Sequence, residues 1–225
     1  MQRQTLDALL RARDEKRAVV LATRLRDGIE KLIYPSESIE EAWLTEPVSQ
    51  VVKSDKSRTI EGPDGEWFLN VFNPPLRLIL VGAVHIAQPL ARMAGDLGYD
   101  VAVIDPREAF ASEERFPGVR LVRSWPDEAM AELAPDARTA VVTLTHDPKL
   151  DDPALQVALK APCFYIGSLG SKKTHAARLE RLTAAGFDEA TLARIHGPVG
   201  LAIGARSPAE IAVSILAEMT ARLRT

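Results

Sequence analysis

The feature that most constrains this chain is an apolar run at residues 78–81 that leads directly into Gly82 and a helix-like segment. A second apolar run ends at Asp105, 23 residues after Gly82. A buried strand, a tight turn at a helix start and a second strand ending in an acid are the layout of a nucleotide-binding βαβ unit. The sequence therefore predicts a parallel sheet whose first turn faces a ligand.

One position of the glycine pattern in this turn is unusual. The pattern G-x-G-x-x-G/A has Gly82 first and Ala87 third, but Val84 occupies the second position. Glycine there normally lets the backbone approach a pyrophosphate, so a branched side chain argues against ordinary NAD binding. We predict that the turn binds a different ligand or binds it differently, the alternative being a simple strand-to-helix turn. The turn consists of Gly82, Ala83, Val84, His85 and Ile86.

Composition excludes several classes of protein. With 225 residues and 46% hydrophobic content, the chain is long enough for one domain plus a small appendage. A net charge of -3 gives no basic surface for nucleic acid or for an anionic membrane. The charged N-terminus does not resemble a signal peptide, and no run is apolar for the roughly 18 residues that a membrane span needs, so we expect a cytoplasmic protein. The single cysteine, Cys163, excludes an internal disulfide, and no residue spacing resembles a metal site.

The sequence changes character at Asn73-Pro74-Pro75. Residues 1–75 predict a small α+β domain with strands at 18–23 and 66–72 and a hairpin turn at 62–65. In residues 76–225, apolar runs alternate with helical patterns, which predicts an α/β, Rossmann-like, mostly parallel and doubly wound sheet. Its predicted strands are 77–82, 100–105, 119–122, 139–145 and 163–167. Its predicted helices lie near 86–97, 126–134, 152–160, 172–185, 188–195 and 207–224.

Several residues indicate where these helices begin and end. Ser207, Pro208 and Glu210 have the spacing of a capping box at the start of the last helix. Asp152 and Asp188 are predicted as further N-caps, and Gly98 and Gly186 fall where helices should end.

Two further connections carry polar residues at the predicted strand ends. His146 and Asp147 follow one strand, where they suit an acid, a base or a hydrogen-bonding anchor, or else form an ordinary turn. The next strand leads into a glycine- and serine-rich loop that opens a helix. Its amides, hydroxyls and lysine suit a phosphate group, the alternative being a flexible connection with solvated lysines; it lacks Walker A spacing. The candidate residues there are Gly167, Ser168, Gly170, Ser171 and Lys172.

Asp105 lies close to where a Rossmann acid takes a ribose hydroxyl, but Arg107 follows it and suits an anion instead. A simple turn at the end of a strand is the alternative. Cys163 sits among apolar residues, which favours an inert buried thiol over a sulfur carrier. His85 is placed to reach a ligand, whereas His175 and His196 are predicted on the surface or in turns.

These blocks occur together in an order that resembles a known family. From about residue 76 onward, the chain is similar to the C-terminal, Rossmann-like domain of the xanthine dehydrogenase accessory (XdhC/CoxI) family. The matching blocks are GAVHI at 82–86, IDPR at 104–107, ERFP at 114–117, LTHD at 144–147, YIGSLGS at 165–171, PVGLAIG at 198–204 and SPAEIAVSILAE at 207–218. The ordered set is far more specific than a glycine pattern alone.

The resemblance implies an accessory role in maturing molybdenum hydroxylases. It implies that the protein binds the molybdenum cofactor (molybdopterin), supports its sulfuration with a cysteine desulfurase, and delivers it to an apo-enzyme of the xanthine or aldehyde dehydrogenase type. Such a protein is a cofactor chaperone more than a catalyst. A homodimer is the default oligomeric expectation.

Two departures from the family pattern are visible. Residues 1–75 lack the G-S-[AST]-P-R-like segment and the glycine-rich cysteine motif of the usual N-terminal domain, and Ala202 stands where the family generally has an aspartate. The chain is therefore expected to be a short or divergent member. Two alternatives stay open, an NAD(P)-dependent oxidoreductase and a nucleotide-sensing scaffold, because fold analogy alone does not separate them from a chaperone.

Overall fold

The computed structural model describes residues 3–224, and the chain divides into two compact units, Met1–Pro75 and Leu76–Thr225. Within residues 3–224, no helix combines the length and the apolar character that crossing a membrane requires.

The described part of the first unit contains a four-stranded antiparallel sheet in the order β2-β1-β4-β3. Its elements are α1 (Arg3–Asp14), β1 (Val19–Arg24), β2 (Glu30–Ile33), α2 (Ala42–Ser54), β3 (Arg58–Gly62) and β4 (Gly65–Phe72). Gly62 pairs with Gly65 across a two-residue loop, which confirms the hairpin predicted at residues 62–65. One sheet face and α2 bury Trp67, Leu69, Leu44 and Val48 together.

The sequence did not predict α2 or β2, and it gave no bounds for β3, the first strand of the hairpin. The helix α2 buries Leu44, Val48 and Val51, which recur at the spacing of one helical face. Pro47 lies inside this helix and obscures the pattern, because proline lacks the backbone donor that a helix interior normally uses. The short edge strands β2 and β3 are mostly half-buried or exposed, so they carry little hydrophobic signal.

The second unit has the predicted doubly wound architecture. Within its described residues, six strands are all parallel in the order β10-β9-β8-β5-β6-β7, so the sheet is fully rather than mostly parallel. The strands are β5 (Arg77–Val81), β6 (Asp100–Ile104), β7 (Arg120–Val122), β8 (Thr139–Thr143), β9 (Tyr165–Ser168) and β10 (Ile195–His196). The helices are α3 (Ala87–Asp96), α4 (Pro126–Leu133), α5 (Pro148–Lys160), α6 (Lys172–Ala184), α7 (Glu189–Leu192) and α8 (Pro208–Arg224).

Alternating side chains of the strands fill two separate cores. Leu78 and Leu80 of β5 point to the face covered by α3 and α8, where they pack with residues such as Leu90 and Ile215. Ile79 and Val81 point to the opposite face, which α4 and α5 cover. Burial on both faces explains the unbroken apolar strands, which are typical of parallel sheets. The chain order reverses between β5 and β8, where doubly wound sheets open a ligand crevice.

The predicted start of α5 was wrong. The helix begins at Pro148, with Asp147 as its N-cap accepting a hydrogen bond from the Lys149 amide at 2.9 Å. Pro153 lies inside the helix. Asp152 does not cap the helix but forms a bidentate ion pair with Arg181 of α6. An Asp-Pro pair is a common helix start, but the chain holds a second such pair one turn earlier.

The region around α7 also differs from the prediction. The helix ends at Leu192, and β10 follows as a sixth strand. His196 therefore lies in a strand, where its ring stacks on Tyr165 and its Nδ1 faces Glu218 at 3.2 Å. His175 lies half-buried on α6. A two-residue strand is too short to leave a periodic pattern, which explains the error.

The other predicted helix boundaries are confirmed. Asp188 caps α7, and Ser207 and Glu210 exchange the two hydrogen bonds of a capping box at the start of α8. Gly98 and Gly186 follow the ends of α3 and α6 with φ angles of 84° and 96°, which glycine adopts at little cost.

The N-cap of α5 gives a stability prediction. Asp147→Ala should lower the free energy of unfolding by about 1 kcal/mol, because the Lys149 amide loses its acceptor. Asp147→Ser should restore most of that loss, measured by urea denaturation. Asp152→Ser is the comparison: serine caps a helix about as well as aspartate, so a loss of stability at position 152 would report the ion pair with Arg181 and not an N-cap. Equal stability of Asp147→Ala and the wild type would contradict this N-cap.

Candidate functional site

Three connections meet at the edge of the sheet where the strands end, which we call the carboxyl edge. They follow β5, β8 and β9, which are neighbours in the sheet. The Leu144 amide donates to the Val81 carbonyl at 2.9 Å, and the Leu169 amide donates to the Thr143 carbonyl at 2.9 Å. The three connections predicted to form one site therefore lie side by side, at the place where such sheets bind ligands.

Gly82 joins the first two connections. Its φ angle of 105° favours glycine, and a Cβ atom there would lie 2.4 Å from Cγ2 of Thr145. The close approach to Thr145 accounts for this glycine without any ligand. Of the following residues, Val84 and Ile86 pack partly against the core, and the His85 side chain is exposed at the carboxyl edge.

Asp105 is fully buried and its carboxylate is used by the chain itself. It accepts hydrogen bonds from the Ala83 amide at 2.8 Å, from the Arg107 amide at 3.0 Å, and from the Arg107 guanidinium at 2.7 and 2.8 Å. Burial would raise the pKa of Asp105, but the hydrogen bonds from Arg107 and Ala83 outweigh it and hold the pKa below its ordinary value. The Ala83 amide is thus occupied, and a ribose diol would have to displace Arg107.

Arg107 is the exposed member of this pair. Its side chain is 42% exposed, and its guanidinium also stacks at 4.4 Å from the centre of the Phe110 ring. At this strand end, an acid favours a ribose hydroxyl and an arginine favours a phosphate. The group that the protein presents to solvent is therefore the one that suits an anion.

The connection after β8 is held from beneath by Asp151 of α5. The Asp151 carboxylate accepts from the Thr145 hydroxyl at 2.6 Å and from the Thr145 amide at 3.3 Å. His146 above it is exposed and has a left-handed φ of 63°, which is uncommon outside glycine. Because Asp147 caps α5, an ordinary turn explains that residue. The exposed side chain of His146 is therefore the remaining candidate for ligand contact in this turn.

Gly167 and Ser168 are the last two residues of β9, and both are buried. A Cβ atom on Gly167 would lie 2.5 Å from Cγ2 of Val199 and 2.8 Å from Cε1 of Tyr165. Ser168 is fully buried, and its hydroxyl bonds the Thr143 hydroxyl. The expectation that Gly167 and Ser168 line a ligand site does not fit these positions, because neighbouring side chains already occupy the space.

The more accessible part of the third connection is the half-buried Gly170 and the exposed Ser171 and Lys172. Ser171 caps α6 by accepting from the Thr174 amide at 3.1 Å, and the Ser171 and Lys172 side chains are exposed. A Cβ atom on Gly170 would lie 3.0 Å from Cβ of Thr174 and 3.6 Å from Nη2 of Arg178. These residues present a helix N-terminus and a lysine to solvent, which suits an anion.

Arg178 of α6 lies directly beneath this third connection. Its side chain is 1% exposed, and its Nη2 donates to the Leu169 carbonyl at 2.7 Å. Its Nη1 lies 3.4 Å from Nδ1 of His175. Burial lowers the pKa of Arg178, while the nearby charge of Asp151 opposes this effect. An arginine that is buried with so few partners is costly, so it calls for an explanation.

The sequence analysis missed Asp151 and Arg178, although a signal for both exists. Asp151 follows the buried Leu150 and precedes the buried Ala154 and Leu155, so it falls on the apolar face of α5. Arg178 lies four residues before the buried Leu182, on the inner face of α6. A charged residue on the inner face of a helix is the pattern that predicts a buried charge.

Cys163 lies at the other edge of the sheet, before β9 begins. Burial raises the pKa of its thiol to about 11. The prediction of an inert buried thiol fits this position, because the reactive thiolate is scarce at neutral pH. Within residues 3–224, no three His, Cys, Asp or Glu side chains are close enough together to hold a metal ion.

A fourth connection, residues 197–207, follows β10. The Glu218 carboxylate of α8 holds it by accepting from the Gly200 amide at 2.9 Å, from the Tyr165 hydroxyl and from His196. Leu201, Ala202 and Ile203 of this connection are exposed. Ala202, where the resemblance leads us to expect an aspartate, therefore presents a methyl group to solvent.

The strand order and the polar carboxyl edge define a doubly wound domain of the dinucleotide-binding type. Residues 78–219 match the family described as the XdhC Rossmann domain. The chain therefore belongs to the XdhC family.

Two bacterial relatives are similar over about two thirds of this chain. The molybdenum cofactor insertion chaperone PaoD of Escherichia coli is 34% identical over 157 residues, which are 68% of this chain and 43% of PaoD. A protein of Bacillus subtilis, named as a probable component of xanthine dehydrogenase, is 35% identical over 153 residues, which are 68% of this chain and 44% of that protein. The chain thus spans less than half the length of these relatives.

The fold also matches a solved structure. A crystal structure described as a xanthine dehydrogenase from Bacillus halodurans aligns with a TM-score of 0.71 and 25% identity. The alignment covers 99% of this chain and 64% of the other, so the likeness includes the N-terminal unit as well as the Rossmann domain.

The buried Asp105 gives a prediction for pH. Its pKa is lower in the folded protein than in the unfolded chain, so its contribution to stability is present above about pH 4 and is lost as the pH falls through the folded value. Asp105→Asn should lower the free energy of unfolding by about 2 kcal/mol at pH 7. The difference from the wild type should shrink as the pH falls below about 4, through the lowered pKa of the folded protein. Urea denaturation over this range measures it, with the exposed Glu114→Gln as control; a difference independent of pH would contradict the charge-based role.

The packing around Gly167 gives a second prediction. Gly167→Ala should lower the free energy of unfolding by about 1–3 kcal/mol, because the new methyl group collides with Val199 and Tyr165. Adding Val199→Ala should recover part of the loss, since it vacates the space. Gly95→Ala, in a helix position with open space, is the control and should not destabilise. If Gly167→Ala were as stable as the wild type, the prediction would be wrong, because the strand would have shifted to make room for the methyl group.

Proposed function

We propose that this protein is a cofactor chaperone that holds the molybdenum cofactor at the carboxyl edge of its sheet. The observation that carries the proposal is the meeting of three polar connections above the point where the strand order reverses. Similarity to PaoD, which is named as a molybdenum cofactor insertion chaperone, supports this choice of ligand. The protein would bind and release the cofactor rather than transform it.

The residues at this edge fit the anionic end of such a cofactor, a pterin with a phosphate group. Gly170, Ser171 and Lys172 offer backbone amides, a hydroxyl and an ammonium group at a helix start. Arg107 offers a second exposed cation, after β6. The buried Arg178 leaves Nε without a hydrogen-bond partner among the described residues, beneath the same connection. When bound, the cofactor would supply its metal and sulfur chemistry to a client enzyme.

His85 and His146 are the exposed groups of the other two connections. Both project at the carboxyl edge, and neither has another role in the described structure that accounts for it. Imidazoles suit hydrogen bonding to the nitrogen- and oxygen-rich edge of a pterin ring. We therefore assign these two histidines to the ring and the Gly170–Lys172 segment to the phosphate.

The proposed clients are molybdenum hydroxylases of the xanthine or aldehyde dehydrogenase type, in the apo form. The names of the relatives from E. coli and B. subtilis support this class. Sulfuration would depend on a cysteine desulfurase, because Cys163 is buried at the opposite edge of the sheet with a raised pKa. Partnership with a desulfurase and assembly as a homodimer stay predictions.

An NAD(P)-dependent oxidoreductase is the competing function, since the strand order is the one that binds dinucleotides. Two observations weigh against it. Val84 stands at the second glycine position, and the carboxylate of Asp105 is already bonded by Ala83 and Arg107. A scaffold whose only role is to contact a dehydrogenase subunit is a third candidate, and the same binding experiment separates all three.

The test is to purify the protein from cells that make the molybdenum cofactor, oxidise any bound pterin and measure its fluorescence, with NADH titrated in parallel. The wild type should retain pterin. Lys172→Met should retain roughly fivefold less, which corresponds to about 1 kcal/mol of lost binding. Lys160→Met makes the same charge change at the far end of α5 and should retain as much as the wild type.

Each outcome assigns a different function. Saturable NADH binding without pterin would favour the oxidoreductase, and binding of neither ligand would favour the scaffold. Equal loss in Lys172→Met and Lys160→Met would mean that only overall charge matters, and it would remove this connection from the proposed site.

A further inference from the structure

Two buried charges lie beneath neighbouring connections of the proposed site. Asp151 of α5 is 2% exposed and supports the turn after β8, and Arg178 of α6 is 1% exposed and supports the turn after β9. Each leaves one buried atom, Oδ2 of Asp151 and Nε of Arg178, without a hydrogen-bond partner among the described residues. Such atoms are costly to bury, so a role beyond packing is expected.

Each of these two residues contacts one surface turn directly, and the turn after β5 packs against one of those turns. Gly82 fits against Thr145, and Thr145 donates to Asp151 from both its hydroxyl and its amide. Arg178 in turn donates to Leu169, one residue before Gly170. The inner charges thus lie under the turns that would contact the ligand, and a buried charge acts through a medium that screens it weakly.

A second pair of charged residues on the same two helices can be compared with Asp151 and Arg178. Asp152, the next acidic residue of α5, and Arg181, the next basic residue of α6, form an ion pair at 2.6 and 2.9 Å. The Arg181 side chain is 40% exposed and the Asp152 side chain is 14% exposed, so solvent screens this pair more than it screens Asp151 and Arg178. The same two helices therefore carry one charge pair toward the turns and another toward solvent.

We propose that Arg178 is a positioning and specificity-determining residue that makes the turn at Gly170 selective for a phosphate group, with Asp151 setting the strength of that attraction. The guanidinium orients the turn through the Leu169 carbonyl and places a positive charge beneath it. Asp151 partly offsets this charge, so the ligand is held with moderate rather than maximal affinity. A carrier needs this balance, because it must also release its ligand. The inference rests on the proposed function and deepens it.

An electrostatic role and a merely structural role predict opposite changes in the affinity of Asp151→Asn for pyrophosphate. If Arg178 acts through its charge, Arg178→Met should weaken the binding of inorganic pyrophosphate by roughly tenfold, whereas Asp151→Asn should strengthen it by roughly threefold. If both residues only hold the turns in place, both substitutions should weaken binding. Arg178→Lys keeps the charge and should bind within about threefold of the wild type.

The experiment measures pyrophosphate binding to the full chain by isothermal titration calorimetry at low and at physiological ionic strength. Arg181→Met and Asp152→Asn are the matched controls, since they make the same charge changes in the outer ion pair, at later positions of the same two helices, and should alter affinity by less than about twofold. Circular dichroism and thermal denaturation check that each variant is folded. If Arg178→Met does not fold, Arg178→Met/Asp151→Asn removes both charges together and should bind roughly threefold more weakly than the wild type, because the gain from Asp151→Asn offsets part of the tenfold loss.

Pterin retention separates this inference from the proposed function. Wild-type affinity for pyrophosphate in a folded Arg178→Met variant, or weaker binding in Asp151→Asn, would overturn the inference even if the wild type retains pterin. Loss of pyrophosphate affinity in Arg178→Met with the opposite change in Asp151→Asn would support it, even if the wild type retains no pterin and the proposed function fails.

Discussion

The carboxylate of Asp105 is the interaction on which the geometry of the carboxyl edge depends. It joins the turn after β5 to the residues after β6 through the Ala83 amide and the Arg107 side chain. Because the carboxylate is fully buried and ionised, its hydrogen bonds are strong and their loss would leave an unpaired charge. The residue that dinucleotide-binding proteins direct at a ribose is here turned inward, and an arginine faces outward in its place.

With Arg107 rather than Asp105 facing solvent, the carboxyl edge suits a different class of ligand from the usual dinucleotide. Exposed cations after β6 and β9 and exposed imidazoles after β5 and β8 surround the point where the strand order reverses. Buried glycine and serine in β9 keep the strand packed instead of opening space for a ligand. The edge is thus suited to an anionic, heterocyclic ligand held by side chains and helix ends, rather than to a pyrophosphate lying against bare backbone.

Much of the fold could be predicted from the sequence, because parallel strands buried on both faces leave continuous apolar runs and capped helices leave local signals. The strands of the second unit and the capping box at Ser207 are of this kind. The start of α5 was missed because two Asp-Pro pairs compete, and β10 because two residues have no periodicity. At the proposed site, the loop sequence was enough to make Gly170 and Lys172 candidates, whereas Arg178 was not predicted, because its burial depends on the packing of α6 against the sheet.

Cys163 has a practical consequence for handling the protein. With a pKa of about 11, roughly one thiol in ten thousand is ionised at neutral pH, so alkylating agents, peroxide and low-molecular-weight disulfides all meet an unreactive sulfur. Since the chain has no other cysteine, covalent cross-linking between copies during storage is strongly suppressed. Any new cysteine placed on the surface would therefore react selectively, which makes the native chain a ready background for site-specific labelling.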